Sequence, residues 1–200
     1  PGGIQLGHGS RPVSTSKVFT TGELVQTDER LDVAIAGDGF FEVQLPGGVQ
    51  GYTRDGSFKV SADGAVVTNE GYQVVNAIPN IGAEVANVAI SKTGQYTLFD
   101  QQGNNIGAGQ IQTTRFINPG GLQNIGGNIY QETPASGVPE QGNPGQNGFG
   151  ELAQGYLEMS NVKVVEEMVN LIKAQRAYEV NSKAIQAADE MMQRSNNIKR

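Results

Sequence analysis

Cysteine is absent from this chain of 200 residues. Its absence removes disulfide staples, thiolate nucleophiles and thiolate metal sites. Tryptophan is also absent, and histidine occurs once, as His8 between Gly7 and Gly9. A histidine-centred triad or zinc site needs positioned neighbours. His8 has none in sequence and reads as an exposed linker residue. No apolar run approaches the roughly 20 residues that cross a bilayer, so no membrane insertion is expected. No secretory signal is visible. The chain opens on Pro1 rather than Met, so its natural N-terminus is expected upstream.

Positive charge is scarce: 14 Lys and Arg stand against 20 Asp and Glu, a net charge of −6. Affinity for nucleic acid comes largely from Lys and Arg neutralising phosphates, so no nucleic-acid partner is expected. No phosphate-binding glycine loop is present. Gly142-Asn143-Pro144-Gly145 is glycine-rich, but it is broken by proline and lacks lysine. Asp38, Asp55 and Asp63 are each followed by Gly, as a tight turn requires, and none has the spacing of a calcium loop. With 20 acids, some carboxylate pair falls close by chance, so a glycosidase pair carries no weight. No catalytic residue, metal site or cofactor is expected.

What is present divides the chain in two. All 28 Gly lie at or before Gly155 and all 8 Pro at or before Pro144. Residues 1–159 hold 7 Lys and Arg against 15 Asp and Glu, whereas residues 160–200 hold 7 against 5. Residues 1–30 read as an extended arm with one or two strands. Residues 31–131 read as a β domain. Leu31, Val33 and Ile35 alternate with Asp32 and Ala34, and Phe41, Val43 and Leu45 with Glu42 and Gln44, which puts one set of side chains on a buried face. Asp38-Gly39, Asp55-Gly56, Asp63-Gly64 and Glu70-Gly71 supply turns. Strands are expected at 57–60, 65–68, 72–75, 88–90, 96–99 and 110–116. Residues 132–150, with Pro134, Pro139 and Pro144, read as a linker too polar to offset its ordering entropy. Residues 151–159 read as one further strand with Leu152, Gln154, Tyr156 and Glu158 on one face. The expected fold is mainly β with a long C-terminal α-helix: a small antiparallel sandwich or barrel-like outer domain, plus a coiled-coil-type helix.

Residues 160–200 follow helix rules. Ser160 or Asn161 can cap the start. Glu166 and Glu167 suit the positive end of the helix dipole, and Lys199 and Arg200 the negative end. Val164, Leu171, Tyr178, Ile185 and Met192 recur every seven residues. Ala174 and Ala188 lie three residues after large ones, with Asn181 between them, and Met168, Ala177, Ala184 and Met191 widen the stripe. Large and small apolar residues in heptads favour close packing against other helices over the alternative, a single helix covering its own domain's sheet. Val164, Met168, Leu171, Ala174, Tyr178, Ile185, Ala188 and Met192 are the candidate subunit-packing residues.

Two separated motifs carry a resemblance. Leu31-Asp32-Val33-Ala34-Ile35-Ala36-Gly37-Asp38-Gly39-Phe40-Phe41, followed by Tyr52-Thr53-Arg54-Asp55-Gly56-Ser57-Phe58, resembles the signature of the flagellar basal-body rod and hook family. Ser160-Asn161-Val162, Glu166-Glu167-Met168-Val169 and Gln175-Arg176-Ala177-Tyr178-Glu179 resemble its C-terminal helix. Ile4-Gln5-Leu6-Gly7, Arg11-Pro12-Val13 and Gly22-Glu23-Leu24 are most similar to the family's distal-rod members. The resemblance implies a structural subunit, exported by the flagellar type III apparatus without a cleaved signal. Such subunits stack helically into a hollow shaft across the periplasm and pass torque from motor to hook. Its partners would be copies of itself, neighbouring rod and hook subunits, and surrounding ring proteins. The stripe on the helix would be the packing seam, and the β domain would face outward. The family's N-terminal helix has no counterpart here, so the stripe is expected to be exposed and the helix frayed in an isolated monomer. Two other readings compete. A β-domain binding module would dock a surface glycan or protein partner. An enzyme acting on peptidoglycan would need an essential acidic pair. Only the rod subunit needs the heptad stripe.

Overall fold

The computed structural model describes residues 17–198. His8, the motif residues 4–7 and 11–13, and Lys199 and Arg200 lie outside the described residues. The chain divides into two compact units, Pro1–Met159 and Ser160–Arg200.

The described part of the first unit is built from short antiparallel strands. Its largest sheet has seven of them, in the order β12-β13-β4-β3-β7-β6-β5. These are β3 (Phe41–Gln44), β4 (Gln50–Thr53), β5 (Lys59–Val60), β6 (Val66–Val67), β7 (Gln73–Val75), β12 (Gln123–Gly126) and β13 (Ile129–Gln131). A three-stranded sheet joins β8 (Asn87–Ile90), β9 (Gln95–Phe99) and β10 (Asn105–Gln110) in the order β10-β9-β8. Three two-stranded pairs complete the unit. They join β1 (Leu24–Gln26) to β16 (Tyr156–Glu158), β2 (Val33–Ala36) to β15 (Glu151–Gln154), and β11 (Thr113–Arg115) to β14 (Glu140–Gly142). The unit is antiparallel as expected, but no sheet among the described residues closes into a barrel.

Two clusters form the core. Val33, Ile35, Phe41, Val43, Val66, Val74, Ile78, Ile111, Ile129 and Leu152 belong to the larger. Phe40, Tyr52, Phe116 and Leu122 form the smaller, with Phe19 and Tyr130 packed against it. Alternation along β3 sends Phe41 and Val43 into the larger cluster. Glu42 between them is buried as well, because β3 is a central strand with both faces covered. Asn76 Nδ2 donates to Glu42 Oε2 at 3.1 Å and Gln141 Nε2 at 2.8 Å, so the carboxylate is hydrogen-bonded where it is dry.

The turn chemistry operates as the sequence implies. Gly64 has φ +84° and donates to Ser61 O at 2.9 Å, closing the β5–β6 hairpin. Gly155 has φ +75° and interrupts residues 151–159. They form two strands with different partners rather than one strand with a single face. The Gly- and Pro-rich stretch 132–150 is packed rather than loose. Its β14 pairs with β11, Ser136 and Pro144 are fully buried, and Thr133 Oγ1 donates to Gly121 O at 2.6 Å. Composition undervalues it because its ordering is repaid by strands distant in sequence.

Tyr52 lies in the smaller cluster with its ring 4.8 Å from Phe116 in edge geometry. Burial, reinforced by the negative charges of Glu42 and Glu132, raises its hydroxyl from 10.0 to about 12. The folded state holds this proton more tightly than the unfolded chain does. Stability from this group is therefore complete below pH 10 and lost as pH rises toward 12. The loss expected is about 2–3 kcal/mol. Urea unfolding at pH 9 and pH 11.5 should capture about 2 kcal/mol of it, and Tyr52→Phe should flatten the slope.

The second unit is one helix, α1 (Val164–Ile198), of 35 residues. At 1.5 Å per residue it is about 52 Å long. Ahead of it, Ser160 Oγ accepts from Val162 N at 3.3 Å, and Glu167 N donates to Lys163 O at 3.1 Å in the first helical turn.

Candidate functional site

The sequence of α1 is rich in Ala, Met, Glu, Gln, Lys and Arg, all good helix formers. Glu166 and Glu167 occupy the first turn, where the helix dipole favours negative charge. Propensity alone leaves helices marginal in water, and most helical stability in proteins comes from packing an apolar face. The candidate packing residues are open to solvent: Val164 is 61% exposed, Leu171 60%, Tyr178 77%, Ile185 64% and Met192 66%. Met168 and Ala174 are exposed and Ala188 is partly exposed. A heptad on a straight helix drifts by about 20° per step, so the five large residues wind through about 80° along α1. The exposed apolar surface is wider than this line. Val165, Val169, Ile172 and Val180 are exposed too. They lie about 80–160° around the helix from Val164, at about 100° per residue. Exposed apolar side chains thus occur over much of the circumference of α1.

The first unit ends in a braced pair of strands. β1 and β16 pair with Leu24 opposite Glu158 and Gln26 opposite Tyr156, and Met159 N donates to Glu23 O at 2.9 Å. Arg54 locks this pair to the sheet. Its Nη2 and Nε donate to Glu158 Oε2 at 2.7 and 3.0 Å. Its Nη1 donates to Gly37 O at 3.1 Å and Gly39 O at 3.2 Å. Glu158 Oε1 also accepts from Gly22 N at 2.9 Å. A planar guanidinium with five donors can serve a carboxylate and a turn's carbonyls together, and an ammonium cannot. The Arg54 and Glu158 side chains are only 14% and 10% exposed. Arg54→Ala should therefore destabilise the first unit by about 2–4 kcal/mol, because Glu158 loses its counter-charge in a nearly dry site. Lys92→Ala, which breaks an ion pair to Glu151 with side chains 81% and 57% exposed, should cost under about 1 kcal/mol. Paired thermal melts test the contrast.

Gln154 makes a second bridge. Its Oε1 accepts from Ile90 N at 2.8 Å, and its Nε2 donates to Val88 O and Arg30 O, each at 2.8 Å. The side-chain amide thus satisfies the edge of β8 as a neighbouring strand would. Arg54 is visible in the sequence as one of few cations in an acidic region. Its partner Glu158, 104 residues away, is not.

Among the described residues, no group of three or more His, Asp or Glu side chains could hold a metal ion, and no helix is long and apolar enough to cross a membrane.

Two family models match the chain, one in the β unit and one reaching along the helix. Residues 34–98 match the flagellar hook protein FlgE/F/G D1 domain, and residues 153–198 the flagellar basal body rod FlgEFG protein C-terminal region. Among curated proteins, the chain is 49% identical to the flagellar basal-body rod protein FlgG of Buchnera aphidicola subsp. Acyrthosiphon pisum, covering 97% of this chain and 75% of the relative. It is 47% identical to FlgG of Borreliella burgdorferi, over 100% of this chain and 76% of the relative. Identity to FlgG of Caulobacter vibrioides is 42%, over 100% and 76%. The chain belongs to the FlgG family of flagellar basal-body rod proteins.

Proposed function

We propose that this chain is a non-catalytic structural subunit of the distal rod, polymerising with copies of itself into a hollow helical shaft that carries torque from motor to hook. The observation that carries this reading is the exposure of the large apolar side chains along α1. Burying each would contribute about 1.5–3 kcal/mol, and packing between copies is the means of burying them. Val164, Met168, Leu171, Ala174, Tyr178, Ile185, Ala188 and Met192 form the seam. The wider apolar surface is consistent with a helix enclosed by several neighbours. The relatives' names support the rod assignment. Adjoining rod and hook subunits and the surrounding rings are the further partners, in a shaft crossing the periplasm and supplied by type III export without a cleaved signal. Arg54 and Glu158 suit a mechanical part, since they brace the strand pair in which the β unit ends. Electron microscopy of the full-length protein under assembly conditions tests the reading. Helical filaments are expected, and soluble monomers at every concentration would overturn it.

A further inference from the structure

Sulfur is confined to one region of this chain. There is no Cys, and the four Met are Met159, Met168, Met191 and Met192. Methionine is a flexible apolar filler that usually works inside a core. Here the two buried clusters are built from Val, Ile, Leu, Phe and Tyr, and every thioether is left in water. Exposure runs from 54% at Met159 to 67% at Met191, with Met168 and Met192 between them.

Two of these sulfurs stand on the proposed seam. Met168 comes four residues after Val164 and three before Leu171, and Met192 comes seven after Ile185. Residues at such spacings share a helix face. Met191 is turned about 100° from Met192, and Met159 precedes the first helical residue, Val164. An accessible thioether is oxidised by peroxides to the sulfoxide. The sulfur lone pair attacks one peroxide oxygen, the O–O bond breaks, and the other oxygen leaves as water. Sulfur loses two electrons and the peroxide gains them. The product is a polar, chiral side chain. On the exposed helix its oxygen stays hydrated. In a packed apolar seam that oxygen would lack a donor, and burying a polar group without a partner is strongly disfavoured.

We propose that Met168 and Met192 form a reversible oxidation site on the unassembled subunit, where peroxides block the helix seam and methionine sulfoxide reductases reopen it. This rests on the rod reading above. In the reverse step a dithiol of the reductase gives up two electrons and becomes a disulfide, and the sulfoxide oxygen leaves as water. The core of the β unit holds no sulfur, so the oxidant changes the tail and leaves the β fold as it was. Packing then encloses the same sulfurs, so the site responds to oxidant before a subunit is incorporated and not afterwards.

The test treats full-length monomer with hydrogen peroxide, removes the excess, and locates sulfoxides by peptide mass spectrometry. One added oxygen is expected at each of Met168 and Met192, with an unchanged melt of the β unit. The critical concentration for assembly should rise about tenfold or more. Methionine sulfoxide reductases supplied with a dithiol should restore assembly. Met168→Leu with Met192→Leu, which conserves apolar volume, should keep assembling after peroxide. Met159→Leu with Met191→Leu should still lose assembly. Peroxide added to finished rods should oxidise Met168 and Met192 far more slowly than in monomers. Undiminished assembly of protein oxidised at both seam sulfurs overturns the oxidation site while leaving the rod reading standing. So does an equal loss in the Met168→Leu, Met192→Leu protein, or a loss that the reductases do not reverse. Absence of rods from untreated full-length protein would strike the rod reading itself, and this site with it.

Discussion

Leu171→Asp in the full-length protein is expected to abolish rod growth while leaving the β unit's unfolding transition unchanged. Leu171 is exposed in the single chain, so a carboxylate there remains hydrated and costs the monomer little. Once helices pack, the same carboxylate would lie in an apolar seam without a counter-charge. Burying an unpaired charge costs several kcal/mol at each contact, and the polymer repeats that cost at every subunit. Leu171→Ala removes the side chain without adding charge and should weaken assembly by less, about 1.5–3 kcal/mol per contact. Swimming assays, yields of purified basal bodies and melts of the isolated chain separate the two effects. Normal rods built from Leu171→Asp protein would remove Leu171 from the seam.

Gly56→Ala is expected to produce the largest loss of stability in the β unit. A Cβ at Gly56 would lie 1.8 Å from Val33 O and 2.7 Å from Val33 C. Both are backbone atoms of β2, so no side chain can rotate away. Val33 N also donates to Gly56 O at 3.0 Å, and relieving the clash would strain that bond. Val33 and Ile35 of the same strand belong to the larger core cluster, so any shift is felt at its centre. Overpacking of this kind costs about 3 kcal/mol or more. Gly47→Ala is the comparison. It has φ +86° and nothing within 4 Å of the added atom, so it should cost only about 1 kcal/mol of backbone strain. Urea midpoints of the two variants test the difference, and similar midpoints would show that the Gly56 backbone relaxes cheaply.

The legible parts of this fold are those set by local rules. The helix was plain because the last 45 residues hold neither Gly nor Pro and their apolar residues keep a helical spacing. The hairpins between residues 57 and 75 were plain because Asp63-Gly64 and Glu70-Gly71 demand turns, and Gly64 and Gly71 do take positive φ. The less legible parts depend on long-range pairing. Residues 132–150 look like a linker until β14 finds β11. Glu42 looks like the solvent side of an alternating strand until Asn76 and Gln141 reach it from other segments. Arg54 sits in a recognised motif, yet its partner comes from the last strand of the unit. The stripe on α1 was readable residue by residue, because periodicity fixes which side chains share a face. Its occupant was not, since a single chain shows an exposed surface without showing what covers it.

The central claim is that the apolar residues of α1 exist to meet other helices in an assembly. A reconstruction of the assembled rod, at a resolution that shows side chains, tests it most directly. The account predicts Leu171, Tyr178 and Ile185 in van der Waals contact with helices of adjoining segments or subunits, closed off from water. Rods in which these three side chains face the open channel or the solvent, with no helix against them, would contradict it.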